Sequence, residues 1–170
     1  MTTLDRFRKD KDDFYAHYPD SPLTREQKKA FKGLKYFPEN PALSLEVTVE
    51  PFPEQMTITM QTSTGDVQDY VRFGRFTFTV DGQEAELTIY ATGHEYFLPF
   101  ADSLAGSETY PAGRYLEPRA LGGGRFLVDF NYAYNPFCAY NERWSCPIPP
   151  AENRLKVAIR AGEMIFEHDS

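Results

Sequence analysis

A chain of 170 residues with 41% hydrophobic and 25% charged side chains can bury a full core without disulfide or metal staples, and it lacks the composition of a disordered protein. The net charge of −7 argues against a nucleic-acid partner: residues 1–40 hold nine Lys/Arg against seven Asp/Glu, and the rest hold nine against eighteen. No apolar run reaches transmembrane length, so no membrane partner is expected, and the start MTTLDRFRKDKDDFY lacks the apolar core of a signal peptide, which places the protein in the cytoplasm.

Leu4–Tyr18 reads as an amphipathic helix, with Leu4, Phe7, Phe14, Tyr15 and Tyr18 sharing a broad apolar face, and it should stop at Pro19. Thr24 and Gln27 form a T-x-x-Q capping box for a second short helix, with Gly33 as its stop. A turn through Tyr36-Phe37-Pro38-Glu39-Asn40-Pro41 follows. Both helices are expected to cover one end or face of a sheet.

From Leu43 the apolar period becomes two. Leu43, Leu45, Val47 and Val49 alternate with polar residues, as do Met56, Ile58 and Met60, which predicts two half-buried antiparallel strands. Asp81-Gly82 predicts a two-residue type I′ hairpin that sets Val80 opposite Gln83, Phe78 opposite Ala85 and Phe76 opposite Leu87. The apolar face is then Phe76, Phe78, Val80, Ala85, Leu87 and Ile89; Arg75, Thr77, Thr79, Glu84, Glu86 and Thr88 take the other. Further strands are expected at Tyr96–Phe100, Arg114–Leu116, Arg125–Asn131, Leu155–Ile159 and Met164–Glu167. Gly122-Gly123-Gly124 reads as a hairpin turn, because neither a helix nor a Lys-Ser/Thr pair follows to make a phosphate loop. The fold class is therefore mainly β with α (α+β): an antiparallel twisted sheet closing toward a barrel or sandwich, with two short N-terminal helices. A single domain, 1–170, is expected, with 1–41 helical and 42–170 the β body.

Chemistry-bearing residues concentrate in Phe126–Arg160. Asp129 and Asn131, two apart on a strand, would face one ligand, or would tie down the following loop. The loop 132–150 is long, proline-stiffened and aromatic, carrying Tyr132, Tyr134, Asn135, Phe137, Tyr140 and Trp144. Arg114 would bind an anionic group or pair internally with Asp102 or Asp129. Glu152, Asn153 and Arg154 would complete a polar pocket or cap the last strand, and Glu163 is a further carboxylate near the chain end. Cys138 and Cys146 are eight positions apart and read as free thiols, a disulfide or two ligands of a metal. His17, His94 and His168 lack ligand spacing around them. No cofactor is predicted.

The run Asp129-Phe130-Asn131-Tyr132-Ala133-Tyr134-Asn135-Pro136, with Cys138-Ala139, Cys146-Pro147, Pro149-Pro150, Glu152-Asn153-Arg154-Leu155 and Ala161-Gly162-Glu163, resembles domain of unknown function family 1684. Phe100-x-Asp102, Gly106, Thr109-Tyr110, Gly113-Arg114-Tyr115-Leu116 and Gly33-Leu34-x-Tyr36-Phe37-Pro38 resemble the same family. The resemblance implies a bacterial or archaeal protein of one β-rich domain and supplies no activity. The chain departs from the family pattern in lacking the basic, His-containing segment that many members carry before Gly33.

Three functions are consistent with these residues. The first is a small-molecule-binding β domain, its pocket lined by the aromatics of 126–144 and polarised by Asp102, Arg114, Asp129, Asn131, Tyr134, Asn135, Asn153 and Arg154. The second is a hydrolase-like enzyme with Asp129 or Glu152 as general base, with or without a metal. The third is a structural or interaction protein in which these residues only lock the long loop.

Overall fold

The computed structural model describes residues 2–167; His168 lies outside them. Helix α1 (Thr3–His17) opens the chain. Thr2 and Asp5 make a reciprocal capping box at its start. Its face is narrower than its sequence suggests: Leu4 and Tyr15 are buried, whereas Phe7 is 40% and Tyr18 57% exposed. Helix α2 (Arg25–Ala30) starts at the Thr24–Gln27 box and ends three residues before Gly33. No helix among the described residues is long and apolar enough to cross a membrane.

Nine strands follow among the described residues: β1 (Ser44–Thr48), β2 (Glu50–Pro51), β3 (Thr57–Gln61), β4 (Val67–Val80), β5 (Gln83–Thr92), β6 (Glu95–Phe100), β7 (Arg114–Leu116), β8 (Arg119–Gly122) and β9 (Arg125–Asp129). They form two antiparallel sheets, one ordered β1-β9-β8 and the other β2-β4-β5-β6-β7, with β3 also paired to β4. The sheets do not close into a barrel. Both contribute to one core: Val47, Phe126 and Val128 from the smaller, and Phe76, Phe78, Leu87, Ile89, Leu98 and Phe100 from the larger. Phe130 is fully buried, 5.5 Å from the Phe78 ring and 5.3 Å from the Phe100 ring. A buried ring of this size contributes about 1.5–3 kcal/mol by leaving water.

The Asp81-Gly82 hairpin has the expected register: Val80, Phe78 and Phe76 face Gln83, Ala85 and Leu87. Asp81 and Gly82 both have positive φ, 50° and 80°, as a type I′ turn requires. One residue departs from the pattern. Thr88 belongs to the polar face by period, yet it is buried, because residues 151–153 lie over that end of β5 and Asn153 bonds its backbone.

Four expectations are corrected. β4 begins at Val67, eight residues before the predicted hairpin arm, and a bulge at Arg72–Gly74 interrupts its register. Met56 precedes β3 and is 62% exposed. β9 stops at Asp129, since the Asp129 carboxylate accepts the Asn131 N–H at 3.0 Å and turns 130–132 into a short 3-10 helix. Neither 155–159 nor 164–167 is a strand. Val157 and Ile159 are buried as their period requires, but their segment is tied by scattered bonds: Leu155 N–H to Ala101 O, Ser103 N–H to Val157 O, and Ile159 N–H to the Asp102 carboxylate at 2.8 Å. A side chain has replaced the ladder partner.

Candidate functional site

The loop 130–150 and the chain end converge on two buried polar clusters, and a cavity opens beside them. In the first cluster Arg114 is 1% exposed and donates to the carbonyls of Ile159, Ala161 and Glu163. Asp102 stands 3.7 Å away; its carboxylate accepts Thr109 Oγ1 at 2.7 Å and Ile159 N–H. Burial pulls the guanidinium pKa down to about 10, against the opposing effect of Asp102 and Glu163, so Arg114 stays charged at neutral pH. Gly113 permits this arrangement. Its φ is +107°, and a Cβ there would lie 2.5 Å from Phe100 O.

The second cluster centres on Glu163, which is 2% exposed. One carboxylate oxygen accepts the Asn135 N–H and the Tyr140 hydroxyl, each at 2.9 Å; the other pairs with Lys11 of α1. Asn135 also donates through Nδ2 to Met164 O, and its Oδ1 is buried without a hydrogen-bond partner among the described residues.

The remaining sequence candidates divide. Asn131 is a lock: its amide bonds Asn40 N–H and O and reaches Asp129. Asn153 is fully buried and bridges β5 to β6 through Thr88 N–H, Thr88 O and Pro99 O. Arg154 is exposed, and its backbone bridges to Ala101. Glu152 accepts the Arg72 guanidinium through both oxygens and also the Tyr90 hydroxyl. Burial raises its pKa, but the Arg72 and Tyr90 hydrogen bonds outweigh that and hold it below the ordinary carboxylate value. Among the described residues, Asp102 and Arg114 line neither the cavity under α1 nor a second groove beside α2. Asp129 and Tyr134 line the former.

That cavity, about 750 Å³, lies between α1 and the segments of β7–β9 and 132–137. Its walls are Phe7, Phe14 and Tyr15 of α1, Leu116 and Leu127 of the strands, and Tyr132, Tyr134 and Phe137 of the loop. Phe7 and Tyr132 meet edge to face at 4.9 Å. Lys11 sits 4.9 Å over the Tyr134 ring, and Tyr134 donates its hydroxyl to Glu117. Burial first, then that hydrogen bond, raises the Tyr134 pKa, so the phenol remains a donor. Asp129, Glu117 and Arg119 supply the other polar groups. A space of this volume, mostly aromatic with a few polar groups, has the composition of small-molecule sites.

Of the aromatics of 126–144 expected around a pocket, Tyr132, Tyr134 and Phe137 line this cavity together with Asp129, whereas Phe126, Phe130, Tyr140 and Trp144 do not, and the α1 wall was not read from the sequence. The signal was present: Phe7, Lys11, Phe14 and Tyr15 fall at helical spacing on one side of α1. It read as core-facing because amphipathic spacing does not distinguish a core from a cavity wall. No group of three or more His, Cys, Asp or Glu side chains among the described residues could hold a metal.

Fold and site together define a mainly β protein of two antiparallel sheets, with a helix-roofed aromatic cavity beside its polar clusters. The chain belongs to the family described as protein of unknown function (DUF1684), whose model matches residues 29–164. α1 precedes that span, so the helical wall lies outside the matched region. A similar solved structure is the solution NMR structure of an uncharacterized protein of Haloarcula marismortui, with 34% identity and a TM-score of 0.73, covering 95% of this chain and 91% of that chain. The comparison with curated proteins found no match.

Proposed function

We propose that this chain is a single-domain, small-molecule-binding protein whose ligand occupies the cavity under α1. The observation that carries this reading is an open cavity of about 750 Å³ lined by six aromatic rings drawn from two separate parts of the chain. That lining suits a ligand with a flat apolar body and a hydrogen-bonding end, which Tyr134, Asp129 or Arg119 would meet. Binding is favoured over hydrolysis because Glu152 is engaged by Arg72 and held below its ordinary pKa, the opposite of what a general base at neutral pH requires. We place the protein in the cytoplasm, where reducing conditions return cysteines to thiols, and expect no nucleic-acid partner given the acidity of residues 41–170.

Fluorescence titration with anilinonaphthalene sulfonate, a flat aromatic probe, tests the reading. Saturable binding at one site, lost in Leu127→Trp, supports it. Leu127 faces the cavity and is only half-buried, so the larger ring fills the space without entering the core. Absence of saturable binding, or equal binding by the filled variant, would remove it.

A further inference from the structure

Cys138 and Cys146 come together although eight residues separate them. The Cys138 backbone N–H donates to Cys146 Sγ at 3.3 Å, which leaves the two sulfurs at most a side-chain rotation from bonding distance. Both are free. Their surroundings are asymmetric. Cys138 is half-buried in the short helical turn Phe137–Ala139 and lines a second groove, about 920 Å³, bounded by α2, Tyr110, residues 138–142 and residues 165–167. Cys146 is 8% exposed and does not line that groove.

The backing cysteine is firmly held. Ser63 N–H donates to Cys146 O at 2.9 Å, Cys146 N–H donates to Ser63 Oγ at 3.1 Å, and Ser63 Oγ donates to Trp144 O at 2.9 Å. Ser145 bonds both Thr62 and Thr64. The loop between the cysteines is thus pinned to the turn joining β3 and β4. Cys138 borders solvent-accessible space, and Cys146 is held behind it.

We propose that Cys138 and Cys146 form a reversible dithiol–disulfide site that reacts with hydroperoxides through Cys138 and is closed by Cys146. The Cys138 thiolate attacks one peroxide oxygen. An S–O bond forms, the O–O bond breaks, and the departing oxygen takes a proton to leave as water or an alcohol. Cys138 is thereby oxidised to a sulfenic acid and the peroxide reduced. The Tyr110 hydroxyl, 3.6 Å from Cys138 Sγ, is positioned to donate to the sulfur. Cys146 then attacks Cys138 Sγ; the S–S bond forms, the S–O bond breaks, and hydroxide leaves as water with the Cys146 proton. An external thiol reductant returns both sulfurs to thiols.

Electrostatics agree with this division. Hydrogen bonding from Cys146, against the opposing effect of burial, pulls the Cys138 pKa down to about 6, while the same interaction and burial raise Cys146. The first proton lost therefore leaves the nucleophile on the exposed side.

The test treats the full chain with hydrogen peroxide and follows intact mass and thiol alkylation. The wild-type chain is expected to lose the mass of two hydrogens, to lose both alkylatable thiols and to regain them with dithiothreitol. Under the same exposure Cys146→Ser is expected to trap dimedone on Cys138, and Cys138→Ser to leave Cys146 unmodified. The proposal fails if the wild-type thiols stay alkylatable, if oxidation adds oxygen without forming the disulfide, or if dimedone labels Cys146 rather than Cys138. The wild-type measurement decides disulfide formation even if neither variant folds.

Discussion

Lys11 on α1 and Glu163 near the chain end form a buried ion pair, their side chains 14% and 2% exposed. The same carboxylate holds Asn135 N–H and the Tyr140 hydroxyl, so the helix, the long loop and the terminal segment meet on one group. Gly162, which precedes it, has φ of +78°, and a Cβ there would lie 2.7 Å from Ala133 O.

Removing one partner strands the other charge. Lys11→Met is expected to cost about 3–5 kcal/mol, the usual penalty for breaking a buried pair. Glu163→Gln keeps an acceptor for Tyr140 but turns an amide toward the ammonium, and should cost a similar amount. The double variant has no stranded charge and should recover most of the loss. Urea unfolding of all four proteins checks this as a cycle. Additive losses would show that the pair does not couple α1 to the body.

Asn153 and Arg154 are neighbours with opposite expected outcomes. Asn153→Ala leaves Thr88 N–H, Thr88 O and Pro99 O buried without partners. At about 1–3 kcal/mol for each stranded group, partly relieved by relaxation, a loss of at least about 3 kcal/mol is expected. Arg154 is exposed, so Arg154→Ala should stay within about 0.5 kcal/mol. Denaturation midpoints at constant slope distinguish the two.

The β hairpin and both helix starts were legible because each is specified locally. Asp81-Gly82 dictates its own turn, and Thr24 and Gln27 cap each other three residues apart. The final segment was not. Leu155, Val157 and Ile159 have strand periodicity, but whether a ladder forms depends on a partner strand, and here the partners are Ala101, Ser103 and the Asp102 carboxylate. An internal pair of Arg114 with Asp102 was one of the alternatives the sequence left open, beside Asp129 and an anionic ligand, and the three carbonyls that orient Arg114 come from residues 159–163 and leave no trace in its own neighbourhood. The cysteines show the same limit. Their spacing fits no metal or redox motif, and only the loop pinned by Ser63 brings them together.

Alkylation of Cys138 should follow a low pKa. The Cys146 hydrogen bond favours the thiolate, so the reactive fraction rises with pH through about 6 and is flat above. One unit below that pKa the rate should be about tenfold under the plateau, whereas an ordinary thiol, titrating near about 8.5, would still be climbing at neutral pH. Cys146→Ala removes the donor and should move the plateau upward. Iodoacetamide rates from pH 5 to 9, read by peptide mass, check both. A wild-type profile still rising above pH 8 would contradict the lowered value.

Phe7 and Tyr18 make a matched pair for the cavity. Both belong to the aromatic face read from the sequence of α1, and both remain substantially exposed, at 40% and 57%. Only Phe7 lines the cavity. Phe7 touches Tyr132 and Tyr18 touches Phe14, so each alanine variant loses one ring contact and about 1 kcal/mol of stability. Binding should separate them. Phe7→Ala removes apolar surface the probe would bury and is expected to weaken anilinonaphthalene sulfonate about tenfold, a loss of about 1.4 kcal/mol. Tyr18→Ala should leave affinity unchanged. Titration at matched temperature, with melting curves alongside, makes the comparison. Equal affinities for the two variants would mean that the probe binds elsewhere, and the helix-roofed cavity would lose its claim as the site.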